Sequence, residues 1–154
     1  MWNRWTALAL IVIIVPILVV FAVSLLAKAP ANLGVKNGRL AWCPSSPNCV
    51  CTQAEDETHQ IDPIRFTGTP AEAMTKLKQA LLTLPRVEIV TENEDYLHAV
   101  CRSLIFRYPD DVEFWIDGAN QTIHFRSASR VGHGDFGVNR ARMETIRQAF
   151  AAAK

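Results

Sequence analysis

The sequence lacks most of the patterns that identify an enzyme or a nucleic-acid-binding protein. It has no run of lysines or arginines and a formal net charge of +1, which argues against nucleic-acid binding. Its four histidines show no H-x3-H or H-E-x-x-H spacing, and no G-x-S-x-G motif occurs. These absences argue against a metalloenzyme and against a hydrolase with a nucleophile elbow. We therefore predict no catalytic residue, no metal and no cofactor.

Charge is also missing from the N-terminal stretch between Thr6 and Ala27. A helix of about 20 apolar residues crosses a bilayer core, so residues 1–28 are predicted to be a transmembrane anchor that contacts the lipid bilayer through residues 6–27. A cleaved signal peptide is the alternative, although its apolar core has only about 7 to 15 residues. Basic residues stand on both sides of the stretch. The short tail before it favours a single-pass protein of the bacterial inner membrane, with the domain on the periplasmic side.

Two cysteines mark the segment that follows. Residues 29–60 are predicted to be a linker and an extended loop that contains Cys43 and Cys49, with two prolines between them. A disulfide between these cysteines is sterically reasonable and would fit an oxidising compartment. Free thiols are the main alternative. A metal site is less favoured, because the neighbouring C-x-C is tighter than the usual C-x2-C pair.

The hydrophobic pattern of residues 61–154 predicts an α+β domain in the order strand, helix, four strands, helix. The first helix, Pro70–Leu84, begins with a capping box at Thr69 and Glu72. The second helix spans about Val138–Ala152. We expect an antiparallel sheet of four to five strands with both helices packed on one face. The predicted strands are Ile61–Phe66, Arg86–Glu92, Tyr96–Phe106, Asp110–Asp117 and Gln121–Ser129.

The last two strands can be aligned from their side-chain pattern. If the turn is Gly118-Ala119, the apolar residues of both strands share one face. The other face then places Asp111 opposite Arg126 and Glu113 opposite His124, as structural ion pairs worth about 0.2 to 1 kcal/mol each. A metal-binding or acid–base role for these carboxylates is a less favoured interpretation.

The stretch Arg126–Arg140 contains three glycines between a strand and a helix. Glycines permit positive φ, and a helix N-terminus can bind an anion. The spacing is no dinucleotide fingerprint, because no second parallel strand follows. The favoured interpretation is a structural joint in which Asp135 or Asn139 caps the helix. The weak candidates for ligand binding are Arg126, Arg130, His133, Asp135, Asn139 and Arg140.

Three segments of the chain resemble a family catalogued as domain of unknown function family 1499. They are CPSSPNCV at 43–50, FRYPDDVEFWID at 106–117 and IHFRSASRVGHGDFGVNRARMETIR at 123–147. The resemblance covers about residues 43–150, with Cys51 standing where a small polar residue is expected. The family occurs in bacteria and plastid-bearing organisms, often behind a membrane or export segment. It implies a single domain and no activity, cofactor or catalytic residue.

Three functions are compatible with these observations. The leading hypothesis is a membrane-anchored, non-catalytic interaction or accessory domain, with a membrane-protein complex as its partner. The alternative is a domain that binds a small anionic ligand or a lipid headgroup. An uncharacterised enzyme comes third, because it requires a pocket that joins Asp111, Glu113 and His133. The oligomeric state is left open.

Overall fold

A computed structural model describes residues 4–153, apart from the side chains of residues 4, 6, 7 and 9. This part of the chain forms three helices and a six-stranded antiparallel sheet. The elements are α1 (Arg4–Leu26), β1 (Cys49–Cys51), β2 (Ile64–Arg65), α2 (Pro70–Leu82), β3 (Val87–Glu92), β4 (Tyr96–Arg102), β5 (Pro109–Asp117), β6 (Thr122–Ser129) and α3 (Val138–Ala152).

The transmembrane anchor predicted at residues 1–28 is not supported. Across the described residues, no helix combines the length and the apolarity needed to cross a membrane. The predicted location as a single-pass membrane protein therefore has no support. Residues 1–3 and 154, which belong to predicted segments, lie outside the described residues.

The predicted sheet of four to five strands was too small. The strand order is β1-β6-β5-β4-β3, and β2 also pairs with β6. Cys49 of β1 lies opposite Ala128, and Ile64 of β2 lies opposite Ile123. The two short strands thus follow each other along the outer edge of β6. The prediction missed β1 because a three-residue strand in a proline-containing segment carries too few residues to show an alternating pattern.

Both α2 and α3 pack on one face of this sheet. The capping box of α2 is present: the Thr69 hydroxyl accepts a hydrogen bond from the Glu72 amide, and the Glu72 carboxylate accepts one from the Thr69 amide. Between helices and sheet lies the apolar core. Its fully buried side chains include Leu77, Leu81, Leu97, Val112, Phe114, Ile123, Phe125, Met143 and Ile146.

The β5–β6 hairpin has the predicted faces in a register shifted by two residues. Glu113 lies opposite Arg126, not opposite His124. The Asp117 carboxylate accepts hydrogen bonds from the amide and the side chain of Asn120, and Gln121 adopts a φ of 48°. The turn therefore takes four residues in place of two. A shift of two keeps every side chain on its face but changes its cross-strand partner.

At the opposite edge of the sheet, β3 is irregular. Its pairing with β4 changes register between Ile89 and Thr91, which is a β-bulge that bends the strand. Glu88 and Glu92 are exposed on this strand.

Candidate functional site

The second face of the sheet carries buried charges where the first carries an apolar core. Asp111 is 1% exposed and Glu113 is 0% exposed. The segment between α1 and β1 covers them. Its Gly34 amide donates to Glu113 Oε1 at 2.7 Å, and its Ala27 carbonyl accepts from Arg130 Nη1 at 3.1 Å. We call this arrangement the charged layer; it consists of Tyr96, His98, Asp111, Glu113, Arg126 and Arg130.

Asp111 is the centre of one half of the charged layer. Arg130 donates to both carboxylate oxygens, from Nε to Oδ2 at 2.9 Å and from Nη2 to Oδ1 at 2.7 Å. His98 Nε2 lies 2.8 Å from Oδ1. Burial by itself would raise the pKa of Asp111, but the hydrogen bonds from His98 and Arg130 outweigh it and hold the pKa below its ordinary value. Asp111 is therefore an ionised structural group rather than a free base.

Glu113 is the centre of the other half. Arg126 Nη1 donates to its Oε2 at 3.2 Å, and the Tyr96 hydroxyl donates to its Oε1 at 2.8 Å. Burial, and then the negative charge of Glu113, raise the pKa of Tyr96 far above its ordinary value, so this hydroxyl remains a hydrogen-bond donor. Arg126 Nε is buried with no hydrogen-bond partner among the described residues.

The ion pairs expected from the sequence have other partners in the structure. Asp111 pairs with Arg130, and Glu113 pairs with Arg126. His124 instead stacks on Trp115, with ring centroids 5.3 Å apart. Its Nδ1 lies 3.2 Å from the Thr52 hydroxyl. Burial lowers the pKa of His124, which favours the neutral ring in this stack.

Asn139 joins α3 to the sheet. It is 0% exposed, and its Oδ1 accepts hydrogen bonds from Ser127 and Arg142. Its Nδ2 donates to the Asn48 carbonyl and to the Ser129 hydroxyl, both at 3.0 Å. Because all of these contacts are internal, Asn139 holds the joint between α3 and the sheet together.

The joint before α3 also uses the other predicted residues. The Asp135 carboxylate accepts from the amides of Gly137 and Asn139, which satisfies free donors at the start of α3. Arg140 donates to the Thr58 carbonyl at 3.0 Å. His133 is exposed, whereas Asp111 and Glu113 are buried in the charged layer. His133 is therefore not buried together with the two carboxylates.

The sequence analysis missed three charged or polar side chains that bind the carboxylates of β5. Tyr96 and His98 alternate along β4, and they meet the carboxylates because β4 pairs with β5. Arg142 on α3 forms an ion pair with Asp110, which faces the helices. The alternation of Tyr96 and His98 was visible in the sequence. The partner of Arg142 depends on how α3 crosses the sheet, and no local pattern shows that.

The cysteines fall into two classes. Cys43 and Cys49 form a disulfide with a Cα–Cα distance of 5.7 Å, which confirms the predicted pair. Cys51 and Cys101 are free and buried, and burial raises the pKa of both thiols. Within residues 4–153, no group of three or more His, Cys, Asp or Glu side chains is arranged to hold a metal ion.

Residues 39–150 match the model of the family described as "Protein of unknown function (DUF1499)". The chain belongs to this family. The matched region contains the disulfide, the whole sheet and nearly all of α3. Ala27 and Gly34, which contact the charged layer from the covering segment, lie before it. Comparison with curated proteins and with solved structures gave no significant match.

Proposed function

We propose that the chain is a non-catalytic interaction domain that docks a partner protein at one end of its sheet. This end carries the β4–β5 loop, residues 103–108, and the β6–α3 loop, residues 130–137; we call it the loop end. One observation carries the proposal. Phe136 is 105% exposed and adopts a φ of 55°, so a large aromatic ring is presented to solvent on a left-handed backbone.

The two loops lie next to each other because the Arg130 amide donates to the Pro109 carbonyl at 3.1 Å. The β4–β5 loop adds Leu104 and Ile105, which are 70% and 73% exposed. Burying a side chain of this size gains about 1.5 to 3 kcal/mol. Exposed apolar side chains grouped at one end are typical of an interaction surface.

The fold holds Phe136 in this position. A left-handed conformation costs a residue with a side chain about 1 to 2 kcal/mol. The Asp135 carboxylate binds the amides of Gly137 and Asn139, so the backbone on both sides of Phe136 is tied to the start of α3. A strained residue that the surroundings enforce supports a functional hypothesis.

Charge specifies the kind of partner. Arg86 and Arg102 lie at the same end, where Arg86 Nε donates to the Arg102 carbonyl at 3.1 Å, and Arg107 lies within the β4–β5 loop. Arginine binds carboxylates through its planar fork of donors. The partner should therefore present an apolar surface with a carboxylate rim. A second copy of the chain would oppose arginine with arginine, which is unfavourable.

Helix α1 extends the apolar surface. It leaves the domain at the loop end, where the Ala27 carbonyl accepts from Arg130. Apolar side chains are exposed along the described part of α1; Val12 is 70% exposed and Leu26 is 77% exposed. We propose that the same partner protein covers these exposed side chains of α1. Both carboxylates of the charged layer, those of Asp111 and Glu113, bind other groups of the same chain, which supports a non-catalytic role.

Photo-crosslinking from position 136 tests the proposal. The full chain carries a photoreactive phenylalanine at 136 or, as a matched control, at 90, where Val90 is 54% exposed on β3. We expect one partner protein to be crosslinked from 136 and not from 90. The L104S/I105S double variant should weaken that crosslink, whereas Val90→Ser should leave it unchanged.

Three outcomes contradict the proposal. Crosslinking that is equal from both positions would show non-specific contact. A crosslink to a second copy or to lipid would overturn the choice of partner. If the native protein sedimented only as a free monomer, it would have no bound partner protein, and the proposal would fail. The variant Phe136→Asn, read by sedimentation without a crosslinker, keeps the test independent of folding. Asparagine tolerates the left-handed region, so the variant should preserve the melting temperature while the partner no longer sediments with it.

A further inference from the structure

We propose that the groove formed by residues 32–42 binds a small ligand through an oxyanion, a phosphate or a carboxylate, held between Lys36 and Arg39. This site goes beyond the docking function and uses a different part of the molecule. It also differs from the anion site considered at the sequence level, since Arg126 and Arg130 already pair with Glu113 and Asp111.

A tight turn brings the two cations together. The Lys36 amide donates to the Arg39 carbonyl at 2.8 Å, and the Arg39 amide donates to the Lys36 carbonyl at 3.1 Å. Between them, Asn37 and Gly38 have φ values of 51° and 70°, as in the Asn-Gly turns of two-residue hairpins. Directly opposite residues of such a pair have Cα atoms about 5.5 Å apart and side chains on the same face, close enough for one phosphate to contact both.

This placement leaves positive charge unbalanced. Like charges directly opposite each other destabilise a hairpin. Within the part of the chain that the structure describes, neither Lys36 nor Arg39 belongs to an ion pair. The carboxylate beneath this segment is Glu113, which Gly34 contacts, and its charge is matched by Arg126. An anion at the turn would relieve the repulsion between the two cations.

The turn is also held rigidly. Gln53 donates from Nε2 to the Gly38 carbonyl at 2.9 Å, and its Oε1 accepts from the Leu40 amide at 2.9 Å. The Arg39 guanidinium lies 4.8 Å from the centre of the Trp42 ring, which orients its donors. Preorganised donors lower the entropic cost of binding a ligand.

The space beside the turn fits a small molecule. The groove has a volume of about 490 Å³ and is lined by Asn32, Asn37 and Trp42 together with the two cations. Ligand pockets commonly have about 300 to 1,000 Å³. No carboxylate is among the residues that line the groove. The asparagine amides add neutral donors, so the lining suits an oxyanion and opposes a cation.

Titration of the full chain with inorganic phosphate, pyrophosphate and citrate tests the site, by calorimetry and by the NMR shift of the Trp42 indole N–H. A hydrogen bond to a charged group is worth enough that Lys36→Gln and Arg39→Gln should each weaken binding about tenfold or more. Lys36→Arg and Arg39→Lys should restore most of it. Lys76→Gln on α2, which packs on the other face of the sheet, should bind as the wild type does.

The arms of the experiment separate the ligand classes. Binding of phosphate or pyrophosphate alone identifies a phosphate ligand, binding of citrate alone identifies a carboxylate, and binding of both supports the shared oxyanion chemistry. Affinity unchanged in Lys36→Gln and Arg39→Gln, or no binding of any probe at millimolar concentration, overturns the proposal. Phe136→Asn should leave anion binding unchanged, so failure at this groove is distinguishable from failure at the loop end.

Discussion

Replacing Asp111 by asparagine removes the shared partner of two buried cationic or ionisable groups. The substitution keeps the shape of the side chain and takes away its negative charge. Arg130 then loses its opposite charge and one of its two acceptor oxygens, and it must share the remaining oxygen with His98. The side chain of Arg130 is only 11% exposed, so water cannot replace these contacts without a local rearrangement.

The size of the loss follows from that burial. Removing one partner of a buried ion pair costs about 3 to 5 kcal/mol, because the other charge is left uncompensated. Domains of this size have free energies of unfolding of about 5 to 15 kcal/mol. At about 4 °C per kcal/mol, we expect Asp111→Asn to lower the melting temperature by about 12 to 20 °C.

Urea unfolding of Asp111→Asn, Arg130→Gln and the double variant measures the effect. The double variant should be less destabilised than the sum of the single variants, since it leaves no unpaired charge. Glu92→Gln is the matched control, because the Lys78–Glu92 pair is 35% and 40% exposed and should be worth less than about 1 kcal/mol. A loss below about 1 kcal/mol for Asp111→Asn would refute the view that the charged layer is a dry structural unit.

Three further outcomes follow from the structure. The pKa of Asp111 is lowered in the folded state. Its contribution to stability is therefore complete above the ordinary aspartate pKa of about 3.9 and is lost as the pH falls through the folded-state pKa. Urea midpoints between pH 5 and pH 3 should fall more steeply for the wild type than for Asp111→Asn. Opening the Cys43–Cys49 disulfide, which closes a loop with a sequence separation of 6, should cost about 2 kcal/mol, measured as the difference in unfolding free energy with and without reductant. In phosphate-free buffer, Lys36→Gln should raise the unfolding free energy by about 0.2 to 1 kcal/mol, because it removes a like charge opposite Arg39.

The sequence predicted best where the signal is local. The capping box at Thr69 and Glu72 identified the start of α2, because cap and partner are three residues apart. The alternating residues of β5 and β6 identified the core face of the hairpin. The register required knowledge of how Asp117 binds Asn120 across the turn, and a two-residue shift leaves the hydrophobic pattern unchanged.

The candidate sites depended on contacts between distant parts of the chain. Arg130 meets Asp111 only because β6 lies beside β5, and the cover over Glu113 comes from Gly34, 79 positions away in the chain. The Asn37-Gly38 turn was not predicted, because it lies in a segment that was interpreted as a linker. Its importance comes from Gln53, which fixes the turn from the far side of the disulfide loop.

The bulged edge of the sheet affects how the protein behaves at high concentration. A straight, uncovered strand can recruit the same strand from another molecule and start a growing aggregate. The change of register between Ile89 and Thr91 interrupts the regular row of backbone donors and acceptors, and the flanking Glu88 and Glu92 would meet identical charges in any stacked copy. Strand exchange at β3 is thereby discouraged, so crowding should leave this edge unpaired.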